Sequence, residues 1–366
     1  MKIKYLEGLN TLRFFAAFFV IISHAKISLD KLGICKDVNL AFLDRGADAV
    51  DFFFTLSGFL ITYLLIIELH ETKTVSIKNF YLRRVYRIWP LYFLIVLLGF
   101  AFLGFIYPIL YKERYFTFSI PQGIAMFILF IPNYAAKNYA VGFLHPLWSI
   151  GVEEQFYLFW APLTKVLKNW LLQMIITFVL VSTGFYVLVS NDVFHFPSNW
   201  QVFLLTQKFY AMAIGAVFAY ILYHHLAWYQ KSFFASKYVQ LIVLLIVVGH
   251  FTIGYCFSRN LYFEILLSFL YGLLILNVSV LKNKLINLEN RWLTYLGVIS
   301  YGLYMYHMLV DYVLRFVTPK AASIIPNIII IPLYYIVLLS GAILVAAFSH
   351  RYFEKYFLSL KSRLHK

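Results

Sequence analysis

The chain has 366 residues, 62% hydrophobic, 20% aromatic and only 13% charged, with a formal net charge of +15. A soluble domain carries about 25% charged residues, so this composition excludes an ordinary soluble protein and indicates a polytopic membrane protein. The basic surplus lies in short loops between apolar runs, which is the positive-inside pattern and not a nucleic-acid-binding surface. Cys35 and Cys256 form no CxxC or Cys/His metal pattern, so no metal is expected. They read as two free thiols, with a disulfide between them the alternative.

The start, MKIK before an apolar run, is built like a signal peptide. Arg13 interrupts the run and no clear small-residue cleavage site follows, so it reads as an uncleaved first span, 9–27. Arg13 and His24 both lie in it. Each ionisable group is costly at membrane depth, by about 2.5–3.5 kcal/mol for an arginine at a helix centre. Their spacing is about three helical turns, which puts both on one face about 16 Å apart along the axis. A neutral imidazole suits general base work near neutral pH. The plain alternative is a histidine bonded within the bundle and an arginine snorkelling to the surface.

The second span, 47–69, carries Asp51 and Ser57-Gly58-Phe59. Small residues allow close helix approach, and Ser57 lacks the flanking glycines of a nucleophile elbow. The third, 86–107, begins beside Arg83, Arg84 and Arg87. Arg84 and Arg87 share a helix face and suit phosphate, although loop anchoring explains one or two arginines equally well. The apolar stretch 121–134 is short and bounded by Pro121 and Pro132, which suits a partial or re-entrant helix. Span 145–166 holds Glu153, Glu154 and Gln155 among aromatics, with Trp148 and Ser149 before them. A carboxylate here either orients or charge-stabilises His24, or forms a structural ion pair, the reading preferred for Glu154. Spans 169–190, 201–223, 238–257 and 260–281 follow. The span 292–318 carries Tyr301, Tyr304 and His307, where a packed, hydrogen-bonded histidine is the default, and 326–349 is the last.

Charge bias selects a topology. With both ends cytoplasmic and 121–134 not crossing, the loops with Lys73, Lys78 and Arg83, with Lys165 and Lys168, with Lys231 and Lys237, and with Lys282, Lys284 and Arg291 all lie inside. The expectation is an all-α protein of about ten transmembrane helices plus a short partial helix near 121–134. It forms one membrane-embedded domain, 1–366, without internal repeats.

Taken in order, GLNTLRFFAAFFVIISH, VDFFFTLSGFLIT, FYLRRVYRIWP, LWSIGVEEQFYLFWAP, ISYGLYMYH and RYFEKYF resemble the acyltransferase-3 family of membrane acyltransferases, from residue 8 to 357. Tyr356 stands where the family usually has proline, and no esterase-like domain is expected at the C-terminus, unlike in some members. The resemblance implies a multi-pass enzyme of the cell inner (plasma) membrane, surrounded by membrane lipids. Its implied donor is cytoplasmic acetyl-CoA or another acyl-CoA. Its implied acceptor is a hydroxyl of a surface or lipid-linked glycan, such as O-antigen lipopolysaccharide, peptidoglycan, capsule or exopolysaccharide. His24 matches the histidine regarded as catalytic, Arg13, Arg84 and Arg87 match the positive motifs, and Glu153 matches the acidic residue of the tryptophan–serine motif. On this basis His24 and Glu153 are the expected catalytic pair, and Arg13, Arg83, Arg84 and Arg87 are expected to bind the donor. Ser57, Trp148, Tyr304 and His307 are expected to line the substrate site. At about 1.5 Å per residue, His24 lies roughly 22 Å into its helix, in the outer half, so Arg13 belongs to an inner phosphate site and the pantetheine arm spans the distance between. Two alternatives remain. One is a secondary transporter, which the lack of repeated halves disfavours; the other is an enzyme whose acceptor is a cytoplasmic small molecule.

Overall fold

The computed structural model describes residues 6–35, 40–112, 114–253 and 261–362, and every regular element among them is a helix. That follows from the solvent: in lipid, each backbone N–H and C=O must be satisfied within its own segment. The helices are α1 (Leu9–Lys31), α2 (Gly46–Thr72), α3 (Ile77–Gly99), α4 (Ile120–Ile128), α5 (Pro132–Asn138), α6 (Leu147–Val166) and α7 (Leu171–Ser190). After these come α8 (Phe209–His224), α9 (Lys237–Thr252), α10 (Leu261–Val280), α11 (Ser300–Ala322) and α12 (Asn327–Ser349). Side-chain caps hold several starts: Ser76 accepts from Asn79 N–H, Ser119 from Gln122 N–H and Ser236 from Val239 N–H.

Among the described residues, seven helices are long and apolar enough to cross a membrane. They are α1, α2, α3 with its π-helical continuation, α7, α8 with the short helix before it, α10, and α12 with its extension. The other three expected spans differ for physical reasons. Helix α6 carries Glu153, Glu154 and Lys165. Helix α9 has 16 residues, and the end of the expected 238–257 stretch, with Cys256, falls outside the described residues. The stretch 292–318 divides at Ile299 into Arg291–Val298 and α11, and α11 carries Asp311 and Arg315. Cys35 is a buried free thiol.

The 121–134 stretch folds as two short helices. Helix α4 has 9 residues and α5 has 7, so neither reaches across a hydrocarbon core about 30 Å thick. Between them Phe130 adopts a positive φ of 54°. Gln155 on α6 donates to the Phe130 carbonyl at 2.6 Å and to Asn133 Oδ1 at 3.0 Å, which satisfies the exposed turn from the neighbouring helix.

The densest packing joins α2 to α8. A Cβ on Gly58 would lie 1.9 Å from the Met212 carbonyl oxygen, and one on Gly215 would lie 2.0 Å from that of Thr55. Backbones this close need glycine on both sides. The N-terminal ends of α2, α8 and α10 share a largely buried ionic cluster. Lys208 reaches Asp51 at 2.7 Å and Glu264 at 2.9 Å. Helices α1, α11 and α12 meet at Asp311, which is fully buried and accepts hydrogen bonds from Ser28, Arg315 and Tyr334.

Candidate active site

One face of α1 presents both Arg13 and His24, and the bundle sends them to different neighbours. His24 is half-buried and meets fully buried His307 of α11, with His24 Nδ1 2.8 Å from His307 Nε2. The two rings stack with centroids 5.0 Å apart and 14° between planes. The other nitrogen of His307, Nδ1, lies 2.7 Å from the Tyr304 carbonyl. Tyr304 is itself held, its hydroxyl 2.7 Å from Ser149 Oγ and 3.1 Å from the Pro146 carbonyl. His145 brings its ring edge-on to His24, with centroids 6.2 Å apart. Ser28, one turn after His24, ties this end of α1 to Asp311, one turn after His307.

Arg13 lines a cavity of about 160 Å³ that runs between α1, α2, α3, α6 and α11. Its wall includes Arg84 and Arg87 of α3, Ser57 of α2, Glu153 and Tyr157 of α6, and Tyr301 and Tyr304 of α11. Tyr157 donates to Glu153 Oε2 at 2.9 Å, and the Ser57 hydroxyl donates to the Tyr157 oxygen. Arg13 donates to Asn10 Oδ1 at 3.1 Å. Arg84 is 7% exposed, its guanidinium lies 5.9 Å from the rings of both Phe80 and Tyr157, and its Nε has no hydrogen-bond partner. Three guanidinium groups therefore face one carboxylate in a wall otherwise made largely of apolar and aromatic side chains. Unbalanced positive charge in such surroundings is expensive, and a buried N–H without an acceptor adds to that cost. An anion in the cavity relieves the first of these costs.

Residues 6–347 match the family of the acyltransferase domain. The chain belongs to the acyltransferase-3 family. The O-acetyltransferase OatA of Staphylococcus aureus strain NCTC 8325 is 27% identical over 335 residues, covering 83% of this chain and 50% of the relative. OatA from strains COL and MRSA252 gives the same figures. The chain thus spans about half the length of the curated relatives it matches. No solved structure matches it.

Against this acyltransferase-3 background, the sequence-derived residues separate into groups. Arg13, Arg84, Arg87, Ser57, Glu153 and Tyr304 come together around one cavity. His24 and His307 come together next to it, joined to its wall through Tyr304. Arg83 departs from the donor set: it pairs with Glu68 at 2.6 Å and does not line the cavity. Trp148 also lies off the wall, its ring edge-on to Phe54 and 5.5 Å from the Lys137 ammonium. Glu153 bonds to Tyr157, whereas the ring partner of His24 is His307; the expected Glu153–His24 pairing is replaced by two separate pairings. Glu154 accepts from the Trp89 indole at 3.0 Å, and that contact takes the place of the ion pair expected for it.

Sequence reasoning assigned no role to Tyr157, Ser149 or Asp311. Helical spacing contained a signal for two of them, since Tyr157 follows Glu153 by four residues and Asp311 follows His307 by four.

Proposed function

We propose that the chain is an integral-membrane O-acyltransferase. It carries an acetyl group from acetyl-CoA on the cytoplasmic side to a hydroxyl of a surface or lipid-linked glycan. The observation that carries this reading is the continuity between the arginine-lined cavity and the histidine pair: Tyr304 forms cavity wall with its side chain and holds His307 with its carbonyl. Arg13, Arg84 and Arg87 bind the phosphates of the donor, and guanidinium forks suit that task. Ser57, Tyr157 and Glu153 form a hydrogen-bonded strip that partly offsets the three cations and orients the strip's hydroxyls. The pantetheine arm passes along the apolar part of the wall toward Tyr304, and the thioester meets the acceptor at His24.

In the chemical step His24 takes the proton of the acceptor hydroxyl, which then attacks the thioester carbonyl. The proposed step is direct transfer, because the base and the donor cavity are adjacent.

The topology belongs to the same proposal: one domain, about ten crossings, both termini cytoplasmic, in the inner membrane. Two contacts support the sidedness. The Lys168 ammonium donates to the Lys73 carbonyl at 3.0 Å, and Lys284 pairs with Glu7. Each contact joins two segments assigned to the cytoplasmic face by charge.

The test compares O-acetyl content of surface glycans, by mass spectrometry, in cells carrying wild-type protein and His24→Ala at equal expression. The expected result is loss of the acetyl mass at each modified site, with the transfer rate lowered about 10²–10⁴-fold, the usual contribution of a general base. Unchanged acetylation in His24→Ala refutes the assignment. Uptake of a solute without acetyl-CoA turnover would favour a transporter.

A further inference from the structure

A base needs a free lone pair, and the imidazole of His24 has two nitrogens but one proton when neutral. Which nitrogen keeps the proton follows from the neighbours. The Tyr304 carbonyl only accepts, so His307 Nδ1, 2.7 Å away, carries a hydrogen and donates it. Neutral His307 then has a bare Nε2, which accepts. His24 Nδ1 lies 2.8 Å from that nitrogen and carries the hydrogen that joins them. The one lone pair left in the array is on His24 Nε2, the nitrogen away from His307.

We propose that His307 is a positioning residue for acyl transfer: it holds His24 as the Nδ1–H tautomer, so that Nε2 faces the acceptor as the base. This rests on the reading of His24 as the base. The acceptor O–H bond breaks, its proton moves to His24 Nε2 and its oxygen bonds to the thioester carbonyl carbon. The C–S bond then breaks, and the departing thiolate takes the proton from Nε2, which returns His24 to its starting state. While His24 is charged, its Nδ1–H bond to His307 Nε2 becomes charge-assisted and therefore stronger. His307 thus selects the tautomer before the step and stabilises the cation during it. Its own orientation is fixed twice, by the Tyr304 carbonyl and by the Ser28–Asp311 contact that locks α1 to α11 one turn beyond the pair.

Two measurements test this. The first records ring nitrogen NMR spectra of the full chain in lipid with 15N-histidine, His24 being assigned by difference from His24→Gln. The expected spectrum has a protonated Nδ1 and a bare Nε2; a protonated Nε2 in the neutral wild-type protein overturns the proposal whatever any variant does. The second follows transfer from radiolabelled acetyl-CoA in isolated cell envelopes. His307→Gln places an amide oxygen near the Nε2 position and keeps an acceptor there, so it should retain transfer within about tenfold of wild type. His307→Leu removes the acceptor and should lose about 10²–10⁴-fold in kcat, the range of a general base lost to the wrong tautomer, with KM for acetyl-CoA unchanged. Equal rates for His307→Leu and wild type, or a His307→Gln no better than His307→Leu, overturn the proposal. Full transfer by His24→Ala would refute the base itself, so the two failures are distinguishable.

Discussion

At the scale of single residues, the cavity separates cations that the sequence alone treats alike. Arg83, Arg84 and Arg87 sit within five positions, yet Arg83 turns to Glu68 while the other two line the cavity. Arg84→Gln should therefore raise KM for acetyl-CoA by about 10–100-fold, the equivalent of roughly 1.5–3 kcal/mol for hydrogen bonds to a charged group. Arg83→Gln should leave KM within about twofold, since an ion pair near the surface contributes about 0–1 kcal/mol. Initial rates against acetyl-CoA concentration check both; equal effects at the two positions would contradict the division. Glu153→Gln keeps an acceptor for Tyr157 but removes the carboxylate that offsets three guanidinium groups. It should shift donor KM more than kcat, whereas a carboxylate acting directly on His24 would depress kcat.

At the scale of elements, the crossing of α2 and α8 depends on the missing side chains of Gly58 and Gly215. Gly58→Ala forces a methyl group into the Met212 backbone and should destabilise the bundle by at least the roughly 1–3 kcal/mol typical of overpacking. Its midpoint for thermal loss of monodisperse protein should fall below that of wild type, and an unchanged midpoint would mean that the helices part without cost. The sequence placed these elements well, because apolar runs bounded by charge define where helices must be in lipid. It also placed the short segment at 121–134, since Pro121 and Pro132 leave too few residues between them for a crossing. What it did not reveal was which helices touch. His24 and His307 are 283 positions apart, and periodicity relates residues within one helix, not across two. The expected pairing of Glu153 with His24 rests on the family resemblance and on both being polar groups in apolar spans, not on a contact between helices. Tertiary packing instead sets Glu153 beside Tyr157 and leaves His307 as the partner of His24.

At the scale of the whole molecule, the proposed sidedness ties the bundle and the cavity together. Arginines that bind an anionic donor and lysines that obey the positive-inside rule belong on the same side, so donor access and topology are one prediction. A reporter active only in the cytoplasm should work when fused after α12 and fail when inserted in the loop between α7 and α8. The opposite result would place the arginine cavity toward the exterior and remove cytoplasmic acetyl-CoA as its ligand. Family membership was legible because six motifs keep their order along nearly the whole chain.

The buried cluster of Asp51, Lys208 and Glu264 sets a schedule for biogenesis. Asp51 enters the membrane with α2, but its ammonium partner is 157 residues further along the chain. At a synthesis rate of about 5–20 residues per second, the carboxylate waits roughly 8–30 seconds without its counter-charge. A lone carboxylate inside lipid is costly, so Asp51 is expected to stay near the membrane–water interface until Lys208 and α8 arrive. Nascent chains that end before Lys208 should be degraded faster than chains that end after Glu264, and Asp51→Asn should narrow that difference. The second helix would then settle only when α8 packs against it, more than a hundred residues after its own synthesis.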